Sequence, residues 1–364
     1  VETEREEISM ATLGRSLAGV RRIDGYPQGS VRFDLIASLL ALWFIVGLFV
    51  DGWAHNHGFT DNTFFTPWHA ILYSGIGAAG LFLGLTQYRN VSKGYVWARA
   101  LPLGYLPSLL GVVLFFVAGG FDFLWHEVFG FEASIEILLS PAHLLLALSG
   151  LLIMSGPLRA AWARRERAPG WRGLFPAILA LALILSAITF FLQFTNLFTD
   201  VDLLARRFPP GDRGLYSVAG VAGILYPAVL SMGTLLFAMR RWKLPFGVVT
   251  FVLTLNAATM LVLHWRDTNA YWYILLAPIV GGLVGDFLLA RYQQGGGLIW
   301  LRAFGFGTPL AQMLAYFGIL LASGGVWWRI HIWLGVSLFA ATAGFLLSLV
   351  AVPPPMPAMN DDGV

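Results

Sequence analysis

Apolar residues recur along this chain in runs of roughly 20, the length a single α-helix needs to cross the hydrocarbon layer of a bilayer. About ten such runs follow one another, near residues 34 to 53, 64 to 87, 102 to 127, 136 to 157, 173 to 197, 215 to 239, 245 to 264, 270 to 290, 299 to 322 and 326 to 351. In the ninth, Gly305, Gly307 and Pro309 favour a break in the helix. With 57% of residues hydrophobic and 12% charged, the chain cannot dress a water-facing surface. It is predicted to be an all-α, polytopic integral membrane protein. Four segments are expected: an N-terminal cytoplasmic stretch (1–33), a four-helix region (34–157), a six-helix region (173–351) and a disordered tail (352–364).

The first ~34 residues carry many charges and no apolar core of the secretory kind, so no cleaved signal is expected. Lys and Arg gather in alternate connections, at Arg89, Lys93 and Arg99, at Arg159 to Arg172, and at Arg240 to Lys243. By the rule that basic connections stay inside, both termini are cytoplasmic, and the chain is a multi-pass protein of the cell (inner) membrane. These basic connections account for the net charge of +3 without any nucleic-acid partner. All seven histidines then fall toward the outer side, a segregation that scattered structural histidines would not show.

Five of those histidines belong to a repeated pattern. Asp51, His55, Thr66, Pro67 and His69 correspond to Asp122, His126, Ser140, Pro141 and His143. An Asp and a His four residues apart at the end of a helix share one face and can hold one ion. Thr66 or Ser140 suits the N-cap of the next helix and the following Pro its first position, which brings His69 or His143 into the first turn. The positive helix end disfavours imidazolium there and leaves a lone pair to donate. The first four spans therefore read as a tandem helical-hairpin repeat, each hairpin offering one carboxylate and two imidazoles. With no cysteine in the chain, any metal is held by nitrogen and oxygen. Such a set suits copper, zinc or non-haem iron, and the ligands alone do not choose among them. His57, Asp61, Glu127, Glu132, Glu136 and His264 lie within reach as additional or supporting groups, and Asp267 or His331 could join the same outer cavity.

The run Asp51, Gly52, His55 with Phe65, Thr66, Pro67 and His69, followed by Trp125 and His126 with Glu136, Pro141 and His143, resembles the C subunit of the copper membrane monooxygenases, the particulate methane and ammonia monooxygenase family. The resemblance covers roughly residues 30 to 157. It implies copper at Asp51, His55 and His69, a second copper position at Asp122, His126 and His143, and oxidation of a small molecule with O2. Residue 122 is Asp where the family usually has Asn, which adds a negative charge to the second position. The ~200 residues after Arg159 have no counterpart in that subunit, and the family works with partner subunits. The expected partners are thus membrane lipid, a small-molecule substrate, and other subunits or further copies of this chain. Two other readings stay open: copper storage, delivery or transport at the outer face, and an intramembrane zinc hydrolase with a glutamate as base.

Overall fold

Each long apolar run folds as a helix in the computed structural model, which describes residues 22–59, 66–130, 138–205, 212–264 and 269–354. We number the helices α1 (Val31–Asn56), α2 (Pro67–Ser92), α3 (Leu106–Phe129), α4 (Pro141–Met154), α5 (Gly156–Ala163), α6 (Gly170–Phe190), α7 (Arg213–Arg241), α8 (Val248–Val262), α9 (Leu276–Arg291), α10 (Leu298–Ser323) and α11 (Ile330–Ala351). Among the described residues, nine helical segments are long and apolar enough to cross a membrane, with α4 and α5 forming one of them across a bend at Ser155. The protein is an all-α, multi-pass membrane protein. Of the expected tail, residues 355–364 lie outside the described residues, as does most of the N-terminal stretch.

The seventh predicted span departs from expectation. Helix α8 has only 15 residues, about 22 Å of helix, short of the bilayer core. It is nonetheless buried along its length, and it lies parallel to α6, with Phe251 against Trp171 at one end and Asn256 Nδ2 donating to Thr189 Oγ1 toward the other. A helix enclosed by protein need not present its ends to the lipid interface. Its N-terminal amides are satisfied by Asp286 of α9, which accepts from Val249 N and Thr250 N at 2.9 and 3.0 Å and from the Thr250 hydroxyl at 2.7 Å. At its other end the chain turns at Leu263, bringing His264 beside His57. Counting α8, the chain passes along the bundle ten times. All seven histidines therefore sit at one end of the bundle.

The ninth run holds together. Helix α10 is continuous through Pro309, and Gly305 serves as a contact: its backbone meets that of Gly344 on α11 so closely that a methyl on either would collide. Small residues do the same in the first hairpin. A Cβ on Gly47 of α1 would stand 2.5 Å from Leu72 Cα, and one on Gly75 of α2 2.8 Å from Phe44 N. Gly77 and Gly84 of the same helix have open space beside them. The α1–α2 crossing lies one turn from both Asp51 and His69, so it sets their separation. We expect Gly47→Ala to destabilise the protein by about 1–3 kcal/mol, the usual cost of overpacking, and to lower metal retention by the first hairpin. Gly77→Ala should lower neither. Thermal unfolding and metal content of the two variants, measured side by side, check this.

Helix α6 joins the halves. It packs against α1 on one side and α8 on the other, and nearly every residue from Leu174 to Phe190 is buried. Gly52 makes the last contact possible, because a side chain there would strike the Phe190 ring. At the end of the bundle opposite the histidines, Asp34 of α1 is almost fully buried. It pairs with Arg164 just after α5 and accepts from the Tyr105 hydroxyl at 2.7 Å.

Candidate metal centre

Both hairpins build the same turn of helix. Thr66 Oγ1 accepts from His69 N at 3.1 Å and Ser140 Oγ from His143 N at 3.3 Å, with Pro67 and Pro141 at the first helical positions. This is the N-cap arrangement predicted from the Thr/Ser-Pro-x-His spacing. His69 and His143 are thereby delivered to the start of α2 and α4, facing the carboxylates at the ends of α1 and α3. In the first triad, His55 Nε2 lies 3.8 Å from Asp51 Oδ2 and His69 Nε2 3.5 Å from Asp51 Oδ1. In the second, His126 Nε2 and His143 Nδ1 each lie 3.6 Å from Asp122 Oδ1. Within each triad one ligand atom from each residue falls within 4.8 Å of the other two.

These separations fit an ion better than hydrogen bonds. A direct N–H···O bond would bring the heavy atoms to roughly 2.7–3.2 Å. Two ligands about 2.1 Å from one tetrahedral ion stand roughly 3.4 Å apart. Asp51 Oδ1 and Asp122 Oδ1 are buried and have no hydrogen-bond partner among the described residues, a costly condition for a carboxylate away from water. A cation at each triad would relieve it. The donor set, two imidazoles and one carboxylate, suits copper, zinc or non-haem iron alike.

The triads are not identical. His126 Nδ1 lies 3.3 Å from the carbonyl oxygen of Gly130, to which it can donate, leaving the Nε2 lone pair toward Asp122. A backbone partner of this kind fixes the tautomer of a ligating histidine. Gly130 closes α3 at φ +79, a conformation that favours glycine. His143 instead turns Nδ1 toward Asp122, and that atom also lies 2.7 Å from the Ser140 hydroxyl. The serine thus competes with an ion for the nitrogen in the second triad. In the first, Thr66 takes the backbone amide alone, and His69 presents Nε2.

Asp51, His55, His69, Asp122 and His143 line one cavity of about 360 Å³, within the usual size of small-molecule sites. Most of its wall is apolar, including Phe44, Leu72, Phe115 and Phe190. His126 reaches Asp122 from outside this cavity. Tyr73, one helical turn beyond His69, stands edge-on to its ring and close enough to both carboxylates to feel their charge. It was not singled out from the sequence, although its i+4 spacing from His69 marks the same helix face.

Of the additional candidates, His264 does line the cavity, carried there by α8. His57 does not; its Nδ1 lies 2.8 Å from Trp53 O and its ring packs on Trp53 and toward His264. Glu127 is a correction. It follows His126 directly, so the helix turns it about 100° away, and it is exposed outside the cavity. His331 is likewise exposed at the start of α11. Asp61, Glu132, Glu136 and Asp267 lie outside the described residues. Near His264, the connection after α6 carries Asp200, whose Oδ1 accepts from the Leu203 amide at 3.1 Å. Comparison with models of known families, with characterised proteins and with solved structures finds no match.

Proposed function

We propose that this protein binds copper at Asp51, His55 and His69 and again at Asp122, His126 and His143, and that it oxidises a small molecule with O2 in the cavity the triads share. The observation that carries the reading is the joining of two nitrogen-and-oxygen triads to one largely apolar cavity. The motif likeness to the copper membrane monooxygenases supports copper over zinc or iron. Copper, when bound, supplies the activation of O2. In the overall reaction one oxygen atom enters a C–H or N–H bond, and the other leaves as water with two electrons and two protons from an external reductant. The chain's own contribution is to hold the ligands on rigid helix ends, to exclude bulk water with the phenylalanine wall, and to admit a small substrate. Partner subunits or further copies of this chain would deliver electrons. The second triad is the weaker or the differently selective one: Ser140 competes for His143, and a carboxylate stands where the family usually has an amide.

Two features weigh against the other readings. A transporter needs polar groups continuing through the membrane, and the two chief amide and carboxylate groups deep among the described residues are occupied, Asn256 by Thr189 and Asp286 by the start of α8. A zinc hydrolase needs a base beside the metal, and Glu127, one of the two glutamates that could serve, is exposed outside the cavity. The deciding experiment supplies copper-loaded protein in lipid nanodiscs with a reductant and 18O2, and follows one 18O atom into a small hydrocarbon or amine. Copper binding at both triads without isotope incorporation, alone or with co-expressed partners, would sink the oxygenase and favour copper handling.

The basic connections support placing the triads toward the outer face, with both termini cytoplasmic. Because the chain has no cysteine, single cysteines report cleanly. Phe59→Cys and Arg329→Cys should label from outside intact cells. Labelling only after permeabilisation would reverse the orientation.

A further inference from the structure

Helix α6 ends at Phe190, and the chain turns into a short 3-10 helix, Gln193–Thr195. This turn puts Gln193 on the cavity wall beside Phe190, Phe191 and Phe194, with only 8% of its surface exposed. Its amide orientation follows from its neighbours. The nitrogen-bearing branch of Asn56 lies 3.4 Å from the carbonyl oxygen of Leu263 and 2.9 Å from the Gln193 side chain. A backbone carbonyl only accepts, so the Asn56 atom facing it must be the NH2 group. That group then donates to Gln193, whose facing atom must be oxygen. The Gln193 NH2 is left on the other branch. It has no partner among the described residues, and it is not sealed against protein as the buried unsatisfied atoms are.

We infer that Gln193 sets substrate specificity: the cavity takes a small neutral molecule whose oxygen accepts a hydrogen bond from Gln193 Nε2, with a hydrocarbon remainder against the phenylalanine wall. This inference rests on the small-molecule reading of the cavity above but not on the metal. Gln193 stands apart from the triads among Phe190, Phe191 and Phe194, so its neutral donor selects an acceptor atom on that apolar part of the wall. An anion is disfavoured by the carboxylates of Asp51 and Asp122 in the same cavity, and at Gln193 itself a cationic group would meet an N–H donor where it needs an acceptor. The class is therefore ketones, ethers and alcohols of modest size, in preference to plain hydrocarbons of the same shape. A hydrocarbon isostere would leave the amide unpaired, and a lost pairing of that kind is worth about 1.4 kcal/mol, or roughly tenfold in affinity.

The test compares cyclohexanone with methylenecyclohexane, which differ only in C=O against C=CH2. Binding is measured by saturation-transfer NMR on the full chain in nanodiscs, after chelation of metal, with empty nanodiscs subtracted. The wild type should prefer the ketone by about tenfold, and Gln193→Met should erase the preference. Absence of a ketone preference in the wild type, or its persistence in Gln193→Met, overturns the inference. Where Gln193→Met does not yield folded protein, Asn56→Asp serves instead: an ionised carboxylate only accepts, so the Gln193 amide must turn its NH2 toward residue 56 and its oxygen to the cavity. Loss of the ketone preference in that variant supports the assignment, and its retention overturns it. Because the protein is metal-free throughout, a failure of copper binding leaves this result untouched, and a failure here leaves the metal triads standing.

Discussion

Purified protein carrying His69→Ala should lose the copper of the first triad while keeping that of the second. His69 is held by the Thr66 cap in the first turn of α2 with Nε2 3.5 Å from Asp51 Oδ1. Its removal leaves Asp51 and His55 on one helix as a two-ligand site. Loss of a supporting residue around a metal already costs roughly 10–100-fold in affinity, so loss of a ligand should cost at least about 100-fold. His143→Ala should likewise empty the second triad, from a weaker starting point, because Ser140 competes there for Nδ1. The measurement is metal content by mass spectrometry with Cu(II) electron paramagnetic resonance on wild type and both variants. The wild type should show two superposed copper signals, and each variant the signal of the intact triad. An unchanged spectrum and stoichiometry in His69→Ala would mean that the first triad holds no ion, and the oxygenase reading would fall with it. Zinc at both positions that copper cannot displace would revive the hydrolase.

The parts of this centre that were legible in the sequence are those set by one or two turns of local chain. Asp51 with His55, and Asp122 with His126, follow from helical spacing. The placement of His69 and His143 follows from cap chemistry that Thr66-Pro67 and Ser140-Pro141 announce. Parts that depend on how distant elements meet were less legible. Glu127 carries the same charge as a ligand, and although its place after His126 turns it about 100° from that residue, only the packing of α3 says that this direction is exposed rather than facing the cavity. Gly77 and Gly84 look like Gly75 in the sequence, yet only Gly75 meets the neighbouring backbone, because register between helices is set by the whole contact. Gln193 gave no signal at all; its meaning arises from Asn56 and Leu263, far away along the chain. Helix α8 read as a full span because its apolar run is long enough, and only its enclosure by α6 and α9 lets it be shorter.

At the other end of the bundle, Arg164→Ala should destabilise the protein more than Asp34→Asn, although both break the same ion pair. The two partners differ in surroundings: the Asp34 side chain is 1% exposed, that of Arg164 30%. Removing the arginine strands a carboxylate in the interior with, among the described residues, only the Tyr105 hydroxyl bonded to it. Uncompensated buried charges typically cost about 3–5 kcal/mol, and we expect about 3 kcal/mol here. Replacing Asp34 by asparagine keeps an oxygen that can accept from Tyr105, and it frees an arginine long enough to extend its head toward the aqueous boundary. That loss should be about 1–2 kcal/mol, nearer the worth of a single hydrogen bond to a charged group. The double variant should resemble Asp34→Asn alone, since no charge is then stranded. A cycle built from the four proteins, with unfolding followed by denaturant titration in mixed micelles, reads the coupling directly. Equal losses for the two single variants would mean that Asp34 is not stranded when Arg164 is removed. Copper content should not change in any of them, because the ion pair lies at the opposite end of the bundle from both triads.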